Sequence, residues 1–187
     1  RLTLTGDASQ ISLIVTGGGG QDALDGGLVN DTISGGAGND TIDGNEGLDS
    51  MSGGAGNDTF TLNARTEYVT AYGTDIIDGG AGIDTLKGGD GSDTFVFSSI
   101  AEAGDTIQDF RDFDDDAIDI SNILIGYDPL TDVITDFVQI TDDGASSSVF
   151  VDADGGADNF VLIATLSGVT HQGEEQTFET NGNLITV

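Results

Sequence analysis

The stretch Gly35-Gly36-Ala37-Gly38-Asn39-Asp40-Thr41-Ile42-Asp43 decides the fold of this chain. It has the form GGxGxDxUx, where U is a large apolar residue. It recurs two periods on as Gly53-Gly54-Ala55-Gly56-Asn57-Asp58-Thr59-Phe60-Thr61. Glycines at the first, second and fourth positions permit positive φ and let the backbone approach a ligand closely. Asn39 and Asn57, each just before the acid, tolerate a left-handed turn. Thr41-Ile42-Asp43 favours a short strand with its apolar residue turned inward.

Further copies lie in phase on both sides. Gly17-Gly18-Gly19-Gly20-Gln21-Asp22-Ala23-Leu24-Asp25 opens the series. Residues 26–34 follow, with Val29 where the fourth-position glycine belongs, and residues 44–52 carry Asn45 at the second position. Residues 62–69 are one residue short and lack the glycines, yet they place Glu67 at the acid position and Val69 at U. Residues 70–78 regain Gly73, Asp75 and Ile77, and residues 79–87 and 88–96 are clean copies. The interruption at 62–73 reads as a loop or bulge within one continuous solenoid. Leu24, Ile33, Ile42, Met51, Phe60, Val69, Ile77, Leu86 and Phe95 form the expected core file.

A turn–strand–turn–strand path gives two nonapeptides per coil, so repeats two apart stack on the same side. Asp22, Asp40 and Asp58 then line one edge, and Asp31 and Asp49 the other. Strands stack ~4.8 Å apart, and carboxylates at that spacing repel unless a cation lies between them. The candidate metal ligands are the sixth-position acids Asp22, Asp31, Asp40, Asp49, Asp58, Asp75, Asp84 and Asp93. Turn oxygens join them at Gly17, Gly26, Gly35, Gly53, Gly79 and Gly88, and at Gly36, Gly38, Gly54, Gly56, Gly80 and Gly82. An all-oxygen cage of about six ligands suits several Ca²⁺ ions better than Zn²⁺ or Cu²⁺. The opposing reading is that Gly-Asn-Asp turns merely punctuate an ordinary β-solenoid; eight acids in phase weigh against it.

Composition agrees. Lys and Arg total 4 against 34 Asp and Glu, a formal charge of −30. That repels phosphates and excludes nucleic acid and anionic membrane as partners. The chain has 187 residues, enough for one domain or two small ones. A 36% hydrophobic content at regular positions argues against disorder. Cysteine is absent, which removes disulfides, thiolate metal sites and Cys catalysis. No apolar run is long enough to span a bilayer. The start at Arg1-Leu2-Thr3 carries no basic, apolar leader and reads as cut from a longer parent. Each inward side chain contributes only ~1.5–3 kcal/mol, against ~1–2 kcal/mol per residue for ordering the backbone. The roll is therefore expected to need its ions in order to fold.

Beyond Phe97 the repeats fade. Residues 98–103 read as a short helical turn, and Asp105-Thr106-Ile107 echoes the end of a repeat. Asp112, Asp114, Asp115 and Asp116 crowd before Ala117. They form either a solvated acidic turn or a further cation site, with Asp105, Asp109, Asp114 and Asp116 as its candidates. Strands are expected at 133–140, 148–151, 159–165 and 184–187. The segment Asp152-Ala153-Asp154-Gly155-Gly156-Ala157-Asp158 imitates the start of an EF-hand loop. Its twelfth position is Ile163 where a bidentate Glu is needed, so it reads as a hairpin turn. Phe110, Phe113, Phe137, Phe150 and Phe160 make this half apolar enough to cap the open end of a solenoid.

The nonapeptides, and Gly88 to Val96 followed by Phe97, Asp105-Thr106-Ile107, Asp109-Phe110 and Ile118-Asp119-Ile120, resemble the end of RTX (repeats-in-toxin) proteins exported by type I secretion. Residues 88–187 are similar to the type I secretion C-terminal target domain of large repetitive bacterial adhesins. The resemblance implies an all-β fold, a right-handed parallel β-roll loaded with Ca²⁺ and closed by a C-terminal β-rich cap. It implies a lead-in at 1–16, the roll at 17–97 and a capping and secretion-signal region at 98–187. It further implies the type I secretion machinery as partner, an extracellular or cell-surface location, no membrane insertion and a monomeric isolated module. Asn183-Leu184-Ile185-Thr186-Val187 suits the family's terminus.

Two rival functions differ in kind. An enzyme is disfavoured, because no HExxH, GxSxG or nucleophile–base set occurs and the single His171 sits in a polar loop. A ligand-binding face is the other, because Thr32, Thr41, Thr59, Thr85 and Thr94 all occupy the outward seventh position, as ice- or glycan-binding files do. Strand propensity alone also explains threonine there.

Overall fold

Strands begin at the seventh position of each repeat and run through the apolar residue toward the next glycines. The computed structural model describes residues 11–45, 47–61, 74–89, 91–102, 104–111, 115–156, 159–169 and 184–186. In chain order the repeats give β1 (Ile14–Gly19), β2 (Ala23–Gly27), β3 (Thr32–Ala37), β4 (Thr41–Asn45), β5 (Ser50–Ala55), β6 (Thr59–Phe60), β7 (Ile76–Ala81), β8 (Thr85–Leu86) and β9 (Thr94–Val96). The remainder gives β10 (Asp105–Ile107), β11 (Ala117–Asp119), β12 (Val138–Asp142), β13 (Ser146–Val151), β14 (Val161–Ser167) and β15 (Leu184–Ile185).

The chain alternates between two sheets. One has seven strands in the order β1-β3-β5-β7-β9-β11-β15; the other has eight, β12-β13-β14-β10-β8-β6-β4-β2. Repeat strands pair in parallel and in register, Ile33 with Met51, Met51 with Ile77 and Ile77 with Phe95. Leu24 likewise pairs with Ile42, and Ile42 with Phe60. This is a parallel β-roll, nearly all-β. Its core is the stacked file of inward residues, from Leu24 at 2% exposure to Ile42, Ile77, Leu86 and Phe95 at 0%.

The register brackets residues 62–69, which read as an interruption of the repeats. Glu67 and Val69 lie outside the described residues, but the strands flanking them pair directly, β5 with β7 and β6 with β8. One coil advances 26 residues where its neighbours advance 18.

The sheets also run past residue 97. A 3₁₀ turn at Ile100–Glu102 leads into β10, which pairs with β8, and β11 pairs with β9. β15 then adds to β11 in parallel. β14 lies parallel to β10 and continues antiparallel into β13 and β12. The strand expected at 133–140 starts only at Val138, after a 3₁₀ turn at Ile134–Asp136. The segment from Asp152 connects antiparallel β13 to β14, which fits a hairpin and not an EF-hand. Phe110 and Phe137 are buried, with Phe110 6.3 Å from Phe95 and Phe137 5.0 Å from Tyr127 between ring centres. Phe150 and Phe160 are half-buried, and Phe113 lies outside the described residues. Among the described residues no helix is long and apolar enough to cross a membrane.

Candidate metal centres

The sixth-position carboxylates stack in two files, one along each edge where the chain passes between sheets. In each file a backbone N–H donates to Oδ1 of the acid one coil on. On the first edge Asp22 N–H donates to Asp40 (2.9 Å), Asp40 to Asp58 (2.7 Å), Asp58 to Asp84, and Asp84 to Asp105 (2.9 Å). On the second edge Asp31 donates to Asp49 (2.8 Å), Asp49 to Asp75 (2.7 Å), Asp75 to Asp93 (3.0 Å) and Asp93 to Asp116 (3.0 Å). None of these side chains exceeds 5% exposure. The long coil places Asp75 and Asp84 on the opposite edges from those that strict alternation of nine-residue units would give.

These bonds use one oxygen and leave the other. Oδ2 of Asp31, Asp40, Asp49, Asp58, Asp84, Asp93 and Asp105 is buried with no hydrogen-bond partner. A buried carboxylate without compensation favours its neutral form. Burial accordingly pushes Asp49 and Asp105 up to about 7, Asp75 and Asp84 to about 6, and Asp93 to about 8. The backbone hydrogen bond from the preceding coil opposes this, and neighbouring carboxylates reinforce it for Asp49, Asp84, Asp93 and Asp105.

The first-position glycines show what the second carboxylate oxygens face. A Cβ at Gly17 would lie 2.5 Å from Gly35 O and 2.7 Å from Asp22 Oδ2. At Gly26 it would meet Gly44 O at 2.5 Å and Asp31 Oδ2 at 2.6 Å. At Gly17, Gly26, Gly35 and Gly53 a carbonyl of the next coil and a carboxylate of the glycine's own repeat converge on this position. Gly36, at φ 105°, lies so close to Gly18 O that no Cβ would fit. Uncharged and anionic oxygens drawn from two coils fit a hard, flexible cation such as Ca²⁺. Among the described residues no three His, Cys, Asp or Glu side chains converge. Carbonyl oxygens therefore have to complete any coordination shell.

The edges differ. Every first-edge turn starting at Gly17, Gly35, Gly53 and Gly79 has glycine at all three positions. The second edge has Val29 and Asn45 instead. Asn45 adopts φ 67°, and its Nδ2 donates to Asp25 Oδ1 of the coil below. The fourth-position Gly47, φ 136°, presses on Val29, where a Cβ would lie 2.6 Å from the Val29 carbonyl carbon.

The acids grouped after residue 104 do not form one site. Asp105 enters the first-edge file and Asp116 the second, because β10 and β11 belong to different sheets. Both Asp116 oxygens accept backbone hydrogen bonds, Oδ1 from Asp93 and Oδ2 from Arg111 at 2.7 Å. Asp109 instead closes a turn, its two oxygens accepting from Gly88 and Gly89 N–H at 2.9 Å each. Asp114 and His171 lie outside the described residues.

The seventh-position threonines split as well. Thr32 and Thr94 sit on one sheet with Ser50 and Ile76 between them. Thr41, Thr59 and Thr85 pair in sequence on the other, and their row continues through Thr106, Thr165, Ser148 and Thr141. The last four were not visible as part of a file, because they carry no repeat.

Residues 14–33, 25–60 and 70–99 match the family model of the RTX calcium-binding nonapeptide repeat (4 copies). The chain thus carries RTX repeats, which bind Ca²⁺ in multiple sites. No curated protein sequence matches it. Among solved structures it is similar to two subunits of the Azotobacter vinelandii mannuronan C5-epimerase. The AlgE6R2 subunit is 23% identical at a TM-score of 0.50, over 93% of this chain and 91% of that one. The AlgE6R3 subunit is 26% identical at a TM-score of 0.49, over 91% and 81%. The first likeness supports the fold and nothing more.

Proposed function

We propose that this chain is a non-catalytic, Ca²⁺-dependent folding module and C-terminal type I secretion signal of a large secreted or surface-attached bacterial RTX adhesin. The observation that carries the folding half is the double file of buried carboxylate oxygens without hydrogen-bond partners. Their desolvation opposes folding until a divalent ion compensates it. Asp22, Asp31, Asp40, Asp49, Asp58, Asp75, Asp84 and Asp93 supply the carboxylates, and the turn glycines the carbonyls. Extracellular modules bind Ca²⁺ at ~10⁻⁴–10⁻³ M, so the roll stays open inside the cell and closes outside. An ion present at about 100 times its Kd adds ~2.7 kcal/mol per site.

The export half rests on the resemblance of residues 88–187 to type I secretion target domains. In this reading the module is monomeric and engages the exporter while unfolded. Circular dichroism in excess chelator tests the folding half: the β signal is lost and returns with Ca²⁺, and a β signal indifferent to chelator overturns it. Fusing residues 88–187 to a passenger in a strain with a type I exporter tests the other half. Release into the medium supports it, and retention overturns it without touching the folding half.

A second reading is favoured by the row Thr41-Thr59-Thr85-Thr106-Thr165, which crosses the eight-stranded sheet in register. It makes that face a glycan- or ice-binding surface. Binding of the calcium-loaded chain to a glycan array, or shaping of ice crystals, supports this; failure of both removes it.

A further inference from the structure

Beside the hydroxyl row of the eight-stranded sheet runs a second row of a different character. Along β13, Ser147, Val149 and Val151 are buried, and Ser146, Ser148 and Phe150 turn the other way. Phe150 therefore stands on the hydroxyl face, two residues from Ser148 and only half-buried. It pairs with Leu162 on one side and with the exposed Gln139 on the other. A β-bulge makes the first of these pairs. The register shifts between Val149, opposite Ala164, and Phe150, opposite Leu162. Ile163 is the extra residue, and both Ile163 and Ala164 are fully buried. Unbroken pairing would set Ile163 against Phe150; the bulge instead brings half-buried Leu162 to the outer face beside the ring.

The row continues across β10. Gly104 lies two residues before Thr106, and Ile83 two before Thr85. A Cβ at Gly104 would meet Ile83 Cγ1 at 3.9 Å and nothing closer. Gly104 N–H donates to Ile163 O at 3.1 Å, which ties this point to β14 next to Leu162. Ile83 itself is 61% exposed. Ile83, Leu162 and Phe150 thus form an apolar strip that passes over a bare glycine. It runs roughly 7 Å from the hydroxyls, two residues at ~3.4 Å each. Strand propensity explains the threonines, but an exposed apolar strip alongside them marks a binding surface.

A pyranose ring has the matching chemistry. Its hydroxyls lie around the edge and its axial C–H groups on the faces. Threonine and serine hydroxyls both donate to and accept from the edge. Aromatic and aliphatic carbon covers a face, and the negative face of a ring attracts C–H hydrogens. The formal charge of −30 repels uronates and sulfated sugars. An ice lattice has no C–H face, so it gives Phe150 nothing to do.

We propose that the eight-stranded sheet binds a neutral polysaccharide laid across its strands, sugar rings stacking on Ile83, Leu162 and Phe150 while the threonines and Ser148 hold their hydroxyls. The inference deepens the glycan reading of this face and rests on it. It assigns the ligand class and places the binding on the half of the sheet that includes β14 and β13.

The test is calorimetric titration of the full chain in saturating Ca²⁺ with soluble dextran, mannan and galactan, and with polygalacturonate as the acidic probe. At least one neutral polymer binds. Phe150→Ala weakens that binding about tenfold, Phe150→Tyr retains it because the ring remains, and Ile83→Ser weakens it from an exposed turn. None of these changes touches a metal carboxylate, so Ca²⁺ stoichiometry and the β spectrum stay as they are. Neutral binding that neither Phe150→Ala nor Ile83→Ser alters overturns the strip and leaves a glycan face of hydroxyls alone. Should Phe150→Ala fail to fold, Ile83→Ser decides the matter. A chain that binds polygalacturonate alone, or none of the neutral polymers, overturns the inference. If it then shapes ice, the surface reading survives as ice binding; if it binds no glycan and shapes no ice, both fall.

Discussion

Asp40 divides its work between two oxygens. Oδ1 accepts the Asp22 N–H at 2.9 Å and fixes coil spacing, while Oδ2 is buried without a partner. Asp40→Asn preserves an acceptor for the first role and puts an amide donor in place of the second. The variant should keep the register but lose the flanking ion, seen as a lower Ca²⁺ stoichiometry by calorimetry. Equal stoichiometry would mean that Oδ2 is no ligand. Glycine substitutions separate strain from collision. Gly18 has φ 109° and open space around a Cβ, so Gly18→Ala costs only the strained conformation, ~1–3 kcal/mol. Gly36→Ala adds a collision with Gly18 O to the same strain. It should raise the calcium midpoint of folding well beyond Gly18→Ala, and equal midpoints would contradict the stacking of these carbonyls. The identities of these residues were legible in the nonapeptide. The division of labour between carboxylate oxygens was not, because it depends on a backbone N–H one coil away.

At the scale of the element, the repeat is a strand plus a turn, and its spelling determined both. Period-two burial at Ile33, Ile42 and Met51 followed from alternation along each strand. The long coil did not follow. Residues 62–69 preserve an acid and an apolar residue at the right offsets, so the pattern counts a rung that the pairing of Thr59 with Thr85 leaves out. Deleting residues 62–69 should therefore leave calcium stoichiometry unchanged and alter stability by under ~1 kcal/mol, since loop closure depends only weakly on length. Chemical denaturation in saturating Ca²⁺ measures this, and loss of an ion on deletion would show that the segment does hold a rung. The row of hydroxyls across the eight-stranded sheet was half legible. Thr41, Thr59 and Thr85 share a repeat position, but Thr165 and Ser148 join them only through strand pairing.

Across the whole molecule, the files of acids couple folding to protons as well as to Ca²⁺. Asp49, Asp75, Asp84, Asp93 and Asp105 carry folded values of about 6 to 8, against ~3.9 when unfolded. The metal-free folded state thus binds more protons than the unfolded chain, and its stability is present below about pH 4 and lost as pH rises through about 6 to 8. In chelator, acidification from pH 8 toward 5 should increase β structure. In Ca²⁺ the direction reverses, because protons and ions compete for the same oxygens, and affinity should rise with pH. Far-ultraviolet dichroism over pH with and without chelator reads both trends, and parallel trends would contradict them.

The sequence by itself determined the period, the inward file, the acids and the metal class, because each is a local property of nine residues. A strand's alternation, a glycine's freedom and a carboxylate's hardness need no distant partner. Only the tertiary structure decided which acids share an edge, since one long coil shifts everything after it. It alone carried the ladder past residue 97 through β10 and β11, and it separated Asp105 from Asp116 and turned Asp109 into the clasp of a turn. Those outcomes depend on stacking, and stacking sums contacts between residues that no single repeat contains.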